Sequence, residues 1–276
     1  MRLIFCCEDN FGLDVIKKIN LDKFRIILVV CLFKNKFSFI SIKNFCKKNK
    51  INFFLLKRKP RLVKRLNNIF SKLNPDIICS CHFNYILPST FLKTARLGCI
   101  NLHPSLLPLY RGQSPQHWAI INNDKYYGLS VHYMTAKVDQ GNILYQKKIL
   151  KPKKIYINDL QGNLRKHYPF AILKSLKLIQ SGCKGKKQKK KIKAYKSRIK
   201  AKDFKIKSYE TAKQALARIR AFSHPYCGAR YKNLIIWKAN DTNIKIKNKN
   251  GLYKIKNKLY LTLKNKSIIL THYNEI

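Results

Sequence analysis

The sequence is short of acid. Its 276 residues carry 12 Asp and Glu against 59 Lys and Arg, a formal net charge of +47. Two readings of that imbalance stand. One is a polyanionic partner drawn in by the basic field; the other is compositional drift in a chain crowded with Lys, Asn, Ile, Tyr and Phe. Long apolar runs are also missing. The longest, Ile26–Phe33, has eight residues, far below the ~20 that cross a bilayer, so no membrane partner is expected. Glu8 and Asp9 interrupt the first apolar run, which argues against a signal peptide. The nine cysteines (Cys6, Cys7, Cys31, Cys46, Cys79, Cys81, Cys99, Cys183, Cys227) contain no C-x-x-C pair. That argues against a zinc ribbon and a disulfide framework, so no metal is expected and a reducing, cytoplasmic setting fits. No G-x-G-x-x-G follows the first strand-like run, and no G-x-x-x-x-G-K-[ST] occurs. Neither a dinucleotide site nor a triphosphate loop is therefore expected.

What is present begins with alternation. Strand-like runs at 2–7, 24–33, 51–57, 76–81 and 97–103 alternate with helical spacing at 11–19, 40–50 and 61–73. This order predicts an α/β fold, a Rossmann-like, mostly parallel sheet. A helix is expected at 114–123, strands at 128–136 and 143–150, and one helix over 160–179. From Cys183 to Lys207 lysine dominates, with GKKQKKKIK at the centre. A like-charge block reads as a solvated linker. The expected domains are therefore 1–182 (catalytic), 183–207 (basic linker) and 208–276. The last opens with a helix to Phe222 and continues as short β-prone runs, expected to form a small OB-like barrel.

The stretch 101–141 carries the chemistry. Asn101 and His103 are two apart at the end of the strand-like run GCINLH. On a strand, such residues share a face. Pro104 then stops regular pairing, at the sheet edge where ligands bind in open α/β sheets. Taken alone, each of Asn101, His103 and Asp139 reads more readily as a turn or structural residue. Together with SLLP (Ser105, Leu106, Leu107, Pro108), YRG (Tyr110, Arg111, Gly112) and D-x-G (Asp139, Gly141), they resemble the folate-dependent formyltransferases. These enzymes move a formyl group from 10-formyltetrahydrofolate to an amine. IRAFSHPYCGARY (Ile219–Tyr231) is similar to the segment that opens the second domain of methionyl-tRNA and some sugar formyltransferases.

The resemblance implies roles. The catalytic triplet is Asn101, His103 and Asp139. Attack of an amine on the formyl carbon puts negative charge on the former carbonyl oxygen. The Asn101 amide and a His103 N–H are suitable donors to it. His103 can also move the proton, and Asp139 favours its charged form. Ser105, Leu106, Leu107 and Pro108 are expected against the folate, with Ile86 and Leu87 of ILPSTF as a pocket wall or as core. Arg111 and Gly112 are expected on the acceptor side, with Arg111 facing an anionic part of the substrate or simply hydrogen-bonding the loop. The lysines of the basic block, Lys186, Lys187, Lys189 and Lys190, are expected on phosphate. His82, His117, His132, His167, His224 and His272 read as structural or peripheral.

Which amine is formylated has two readings. Initiator methionyl-tRNA is favoured by the two-domain length, the basic linker and DQGNILYQ, and would place the protein in translation initiation. A nucleotide-linked amino sugar is favoured by HPSLLP, SVHYM and SHPYCGA, by Ser130, and by a short loop after the second strand, where only Lys34 and Lys36 supply charge. An inert, basic RNA-binding protein is a third reading, against which the intact triplet argues. A monomer is expected.

Overall fold

A computed structural model of the chain describes residues 1–20, 24–33, 35–57, 59–189, 198–244, 250–264 and 266–276. The chain divides into two compact units. One comprises Met1–Arg111, Gly128–Lys147 and Leu164–Lys193; the other comprises Gly112–Tyr127, Lys148–Asn163 and Ala194–Ile276. The units are thus interleaved along the sequence.

The first is built on a seven-stranded sheet. Its strands are β1 (Arg2–Cys7), β2 (Arg25–Leu32), β3 (Asn52–Leu56), β4 (Ile77–Cys81), β5 (Cys99–His103), β6 (Tyr126–Tyr133) and β7 (Ile143–Leu150). Their order is β3-β2-β1-β4-β5-β6-β7, with β6 and β7 straddling the division between units. The first five strands run parallel, as their near-continuous apolar sequences predict. β6 is antiparallel to β5, so the sheet is mostly parallel and Rossmann-like. The strand order reverses between β1 and β4, which makes the crevice beyond their C-terminal ends the expected ligand position.

Local chemistry accounts for the helices. α1 (Asn10–Asn20) follows β1. α2 (Lys36–Lys48) is N-capped by the Asn35 side chain, which accepts from the Ser38 N–H at 2.8 Å. The cap starts this helix four residues before the sequence expectation. α3 (Pro60–Leu73) has Pro in its first turn and ends on Asn74 in the left-handed region (φ 42°). It buries Leu66 and Phe70 in a cluster with Ile4, Leu32, Phe91 and Cys99. Seven of the nine cysteines are buried, and burial pushes the Cys46 thiol up to about 11, so these side chains pack as small hydrophobes. Short α4 (Ser89–Leu92) and α5 (Pro115–Ile121) follow.

The single helix expected over 160–179 is two: α6 (Ile157–Arg165) and α7 (Tyr168–Gln180). Pro169 lacks the N–H that a continuous helix needs there and sits instead in the first turn of α7.

In the second unit, α8 (Ala201–Phe204) precedes α9 (Ala212–Phe222), which begins at a reciprocal Thr211–Gln214 capping box. α9 packs Ala215, Leu216 and Ile219 into a core with Ile236, Leu261 and Ile268. Those residues come from β9 (Leu234–Asp241), β11 (Lys258–Thr262) and β12 (Ser267–Glu275). With β8 (Ala229–Tyr231) and β10 (Gly251–Ile255) they form a separate antiparallel sheet, order β10-β11-β12-β9-β8. That sheet stands where a small barrel was expected. Among the described residues its outer strands β10 and β8 each pair on one side only. No helix among the described residues is long and apolar enough to cross a membrane.

Candidate functional site

Asn101 and His103 leave the end of β5 on one face, as their spacing dictates. The antiparallel register sets His132 of β6 opposite Asn101 and Ser130 opposite His103. The loop from β6 to β7 then folds back and brings Asp139 to the same place. One Asp139 carboxylate oxygen lies 3.6 Å from His103 Nδ1, and the other lies 3.4 Å from His132 Nε2. The Asn101 amide nitrogen is 3.4 Å from His132 Nε2. The three sequence-predicted catalytic residues are therefore together, and His132 completes a cluster of four.

The ring nitrogens have distinct duties. His103 Nε2–H donates to the Tyr110 carbonyl at 2.9 Å. A carbonyl can only accept, so the proton on Nε2 is held and Nδ1, beside Asp139, is the nitrogen left to take up or release one. Burial pushes the His103 pKa below its ordinary value, while Asp139 and the Tyr110 carbonyl push it back up. His132 Nδ1–H donates to the Tyr133 carbonyl at 2.7 Å, which leaves Nε2 facing both the Asn101 amide and the Asp139 carboxylate. His132 was read from sequence as peripheral. The available signal was two polar side chains, Ser130 and His132, two apart in the otherwise apolar run GLSVHYM.

Ser130 holds the loop after β5. Its Oγ–H donates to the Ser105 carbonyl at 2.7 Å and accepts from the Leu107 N–H at 3.0 Å. Gln146 Nε2 adds bonds to the Leu107 carbonyl and to Ser130 Oγ, both at 2.8 Å. Ser105 itself donates to the Leu109 carbonyl at 2.7 Å, and the Leu107–Pro108 peptide is cis. The loop is thus fixed by bonds from β6 and β7, with Leu106 half-buried and Leu107 buried. On the neighbouring loop after β4, Ile86 is 75 % exposed, whereas Leu87 is buried in the apolar cluster under α3. His82 follows β4, with Nδ1 3.3 Å from Asp9 and Nε2 3.3 Å from the Tyr168 hydroxyl.

The described start of the basic block, residues 183–189, is bonded to the fold, and residues 190–197 lie outside the described residues. Lys186 pairs through its backbone with Ile143, the Asn142 amide donates to the Lys184 carbonyl, and the Tyr133 hydroxyl donates to the Cys183 carbonyl. Residues 183–188 therefore form a strap along the Asp139 loop. The physical reason is that the strap satisfies backbone groups and turns every lysine outward. Lys184, Lys186, Lys187 and Lys189 are exposed, and only Gln188 points inward. Gln188 accepts from Arg111 Nε and Nη2 at 3.1 and 2.6 Å. The Arg111 guanidinium is thereby engaged within the protein. Gly112 follows with φ 96°. Lys190 lies outside the described residues. So does Lys34, while Lys36 begins α2, four residues after β2 ends. No group of three or more His, Cys, Asp or Glu that could hold a metal occurs among the described residues.

The formyl transferase family profile matches residues 15–172, a stretch that contains the whole cluster. The chain is 35 % identical over 216 residues to the bifunctional polymyxin resistance protein ArnA of Wigglesworthia glossinidia brevipalpis. That match covers 74 % of this chain and 32 % of that protein, so the chain spans about a third of it. It is 29 % identical over 238 residues to a methionyl-tRNA formyltransferase of Malacoplasma penetrans, covering 83 % and 74 %. Among solved structures, WlaRD, a sugar 3N-formyl transferase crystallised with dTDP and 5-N-formyl-THF, superposes with a TM-score of 0.78 at 22 % identity. That match covers 98 % of this chain and 97 % of that one.

Proposed function

The chain belongs to the formyl transferase family, and on that footing we propose that it transfers a formyl group from 10-formyltetrahydrofolate to the amino group of initiator methionyl-tRNA in the cytoplasm. The residues present fit such a donor. Ile86 and Leu109 hold apolar side chains in solvent on the loops that leave the adjacent strands β4 and β5. The polar cluster stands at the end of β5, with Ser105, Leu106, Leu107 and Pro108 beside it. The donor supplies a carbonyl already activated for attack. The protein supplies the rest. The Asn101 amide stabilises charge developing on the formyl oxygen. His103 Nδ1 takes the proton that the amine loses and returns it to the folate nitrogen as the bond from that nitrogen to the formyl carbon breaks, and Asp139 steadies the imidazolium in between.

The observation that carries the tRNA acceptor is the strap. Four exposed lysines, Lys184, Lys186, Lys187 and Lys189, stand on a segment bonded directly to the Asp139 loop. A cationic row beside the catalytic groups suits an acceptor with a phosphate backbone. The nucleotide-linked amino sugar stays as a second reading: SVHYM, one of the runs that leaned toward sugar enzymes, supplies His132 to the cluster.

Purified protein with 10-formyltetrahydrofolate and either charged initiator tRNA or a dTDP-linked amino sugar tests the choice. Replacing the four strap lysines by Gln should weaken initiator-tRNA binding and lower the slope of log affinity against log salt by about 0.7–0.9 for each phosphate no longer neutralised. Sugar formylation with no preference for initiator tRNA would establish the second reading instead.

A further inference from the structure

Gln188 is a buried, uncharged side chain inside a run of exposed lysines. An amide has two donor hydrogens and two acceptor lone pairs, and here all four are used. Oε1 accepts twice from Arg111; Nε2 donates to the Asp139 carbonyl at 2.9 Å and to the Gly141 carbonyl at 2.8 Å. Both carbonyls belong to the turn that presents the Asp139 carboxylate. The turn is demanding. Asp139 sits in the left-handed region at φ 54°, which Asp tolerates better than most residues but less well than glycine. Gly141 is so close to β6 that a Cβ there would lie 1.9 Å from the Tyr133 carbonyl oxygen. A turn held in this shape needs bonds from outside itself.

We infer that Gln188 is a positioning residue for the transfer reaction: anchored by Arg111, its amide holds the 139–141 backbone so that the Asp139 carboxylate stays between His103 and His132. The inference rests on the site being a formyl-transfer centre and adds a residue that touches neither donor nor acceptor. The carboxylate must stand close to both imidazoles at once, 3.6 and 3.4 Å away, and a misplacement of about 1 Å in such a site can cost 10²-fold in rate. The same arrangement gives Arg111 a role as the anchor of the amide.

Two variants separate positioning from general support. Gln188→Ala removes all four bonds. Gln188→Glu keeps the size and a partner for Arg111, but turns acceptor oxygens toward two carbonyls. In both, kcat should fall about a hundredfold with KM for the formyl donor unchanged. The His103 imidazole, followed by NMR and assigned by the signal missing from His103→Gln, should titrate at lower pH than in the wild type, because Asp139 raises its pKa and is no longer held beside it. If Gln188→Ala does not fold, Gln188→Glu carries the test. Wild-type kcat in Gln188→Glu, an unmoved His103 titration, or failure of both variants to fold would each overturn the inference. Should the wild type formylate neither acceptor, the functional reading fails, and the His103 titration still decides what Gln188 does.

Discussion

His103 and His117 are buried almost equally, 5 and 7 % exposed, and the chain uses them in opposite ways. His103 has a carbonyl on Nε2 and a carboxylate facing Nδ1. His117, in the second unit, stands among rings: Tyr226 edge-on at 4.5 Å and Phe222 tilted at 5.8 Å. Its Nδ1 is buried with no hydrogen-bond partner among the described residues. Burial lowers both pKa values. At His103 the carboxylate and carbonyl resist the fall, whereas at His117 nothing opposes it and the value drops to about 4. Burial by itself makes histidine a flat hydrophobe. A carboxylate at its second nitrogen suits it to carry a proton.

The largest effect that can break this contrast is on turnover. Asn101→Ala, His103→Ala and Asp139→Ala should each lower kcat by about 10²–10³, the usual cost of losing one group aimed at developing charge, with unchanged thermal melts. Combining them should cost less than the product, because they act on one transition state. His117→Gln should leave kcat as it is. Single-turnover assays at saturating donor measure both. A His103→Ala enzyme with most of its turnover would remove the distinction altogether.

The next effect is on stability, at His117. Its folded pKa of about 4 lies below the ordinary 6.5. As pH falls from 6.5 toward 4 the unfolded chain binds a proton that the folded chain refuses, so stability is lost across that window and levels off below it. The 2.5-unit gap corresponds to about 3 kcal/mol. His117→Gln, which cannot charge, should flatten the dependence by about that much. The chain's two tryptophans, Trp118 and Trp237, both lie in the second unit, so denaturant titrations followed by tryptophan fluorescence at pH 7 and 4.5 report on the right region. Equal acid sensitivity in both proteins would mean that His117 is solvated.

The same two residues mark what could be read from sequence. The existence and parallel character of β1 to β5 were legible because apolar runs and helical spacing are local signals. Asn101, His103 and Asp139 were legible through SLLP, YRG and D-x-G at fixed spacing. His132 was not, because its place depends on which residue of β5 it faces, and register is a tertiary fact. Gln188 was hidden for a different reason. A charge argument treats GKKQKKKIK as uniform, and the one uncharged side chain in it is the one that turns inward. The break between α6 and α7 had a readable signal in Pro169, which the apolar periodicity on either side outweighed.

The smallest expected effect is also the sharpest test of the contrast, because it asks how His103 works. If neutral Nδ1 takes the proton from the amine, kcat/KM should fall as pH drops through the His103 pKa, which burial places below 6.5. Asp139 is the largest influence raising that pKa. Asp139→Asn should therefore lower the plateau and move the acid limb to still lower pH, so that the variant keeps a larger share of its own maximal activity under acid than the wild type does. His117→Gln should leave the limb in place, since His117 contributes no proton to the reaction. The measurement is kcat/KM against pH for the three proteins with one acceptor. An acid limb that moves to higher pH in Asp139→Asn, or activity that falls as pH rises through the same range, would mean that the imidazolium is the working form and that Nδ1 acts first as an acid.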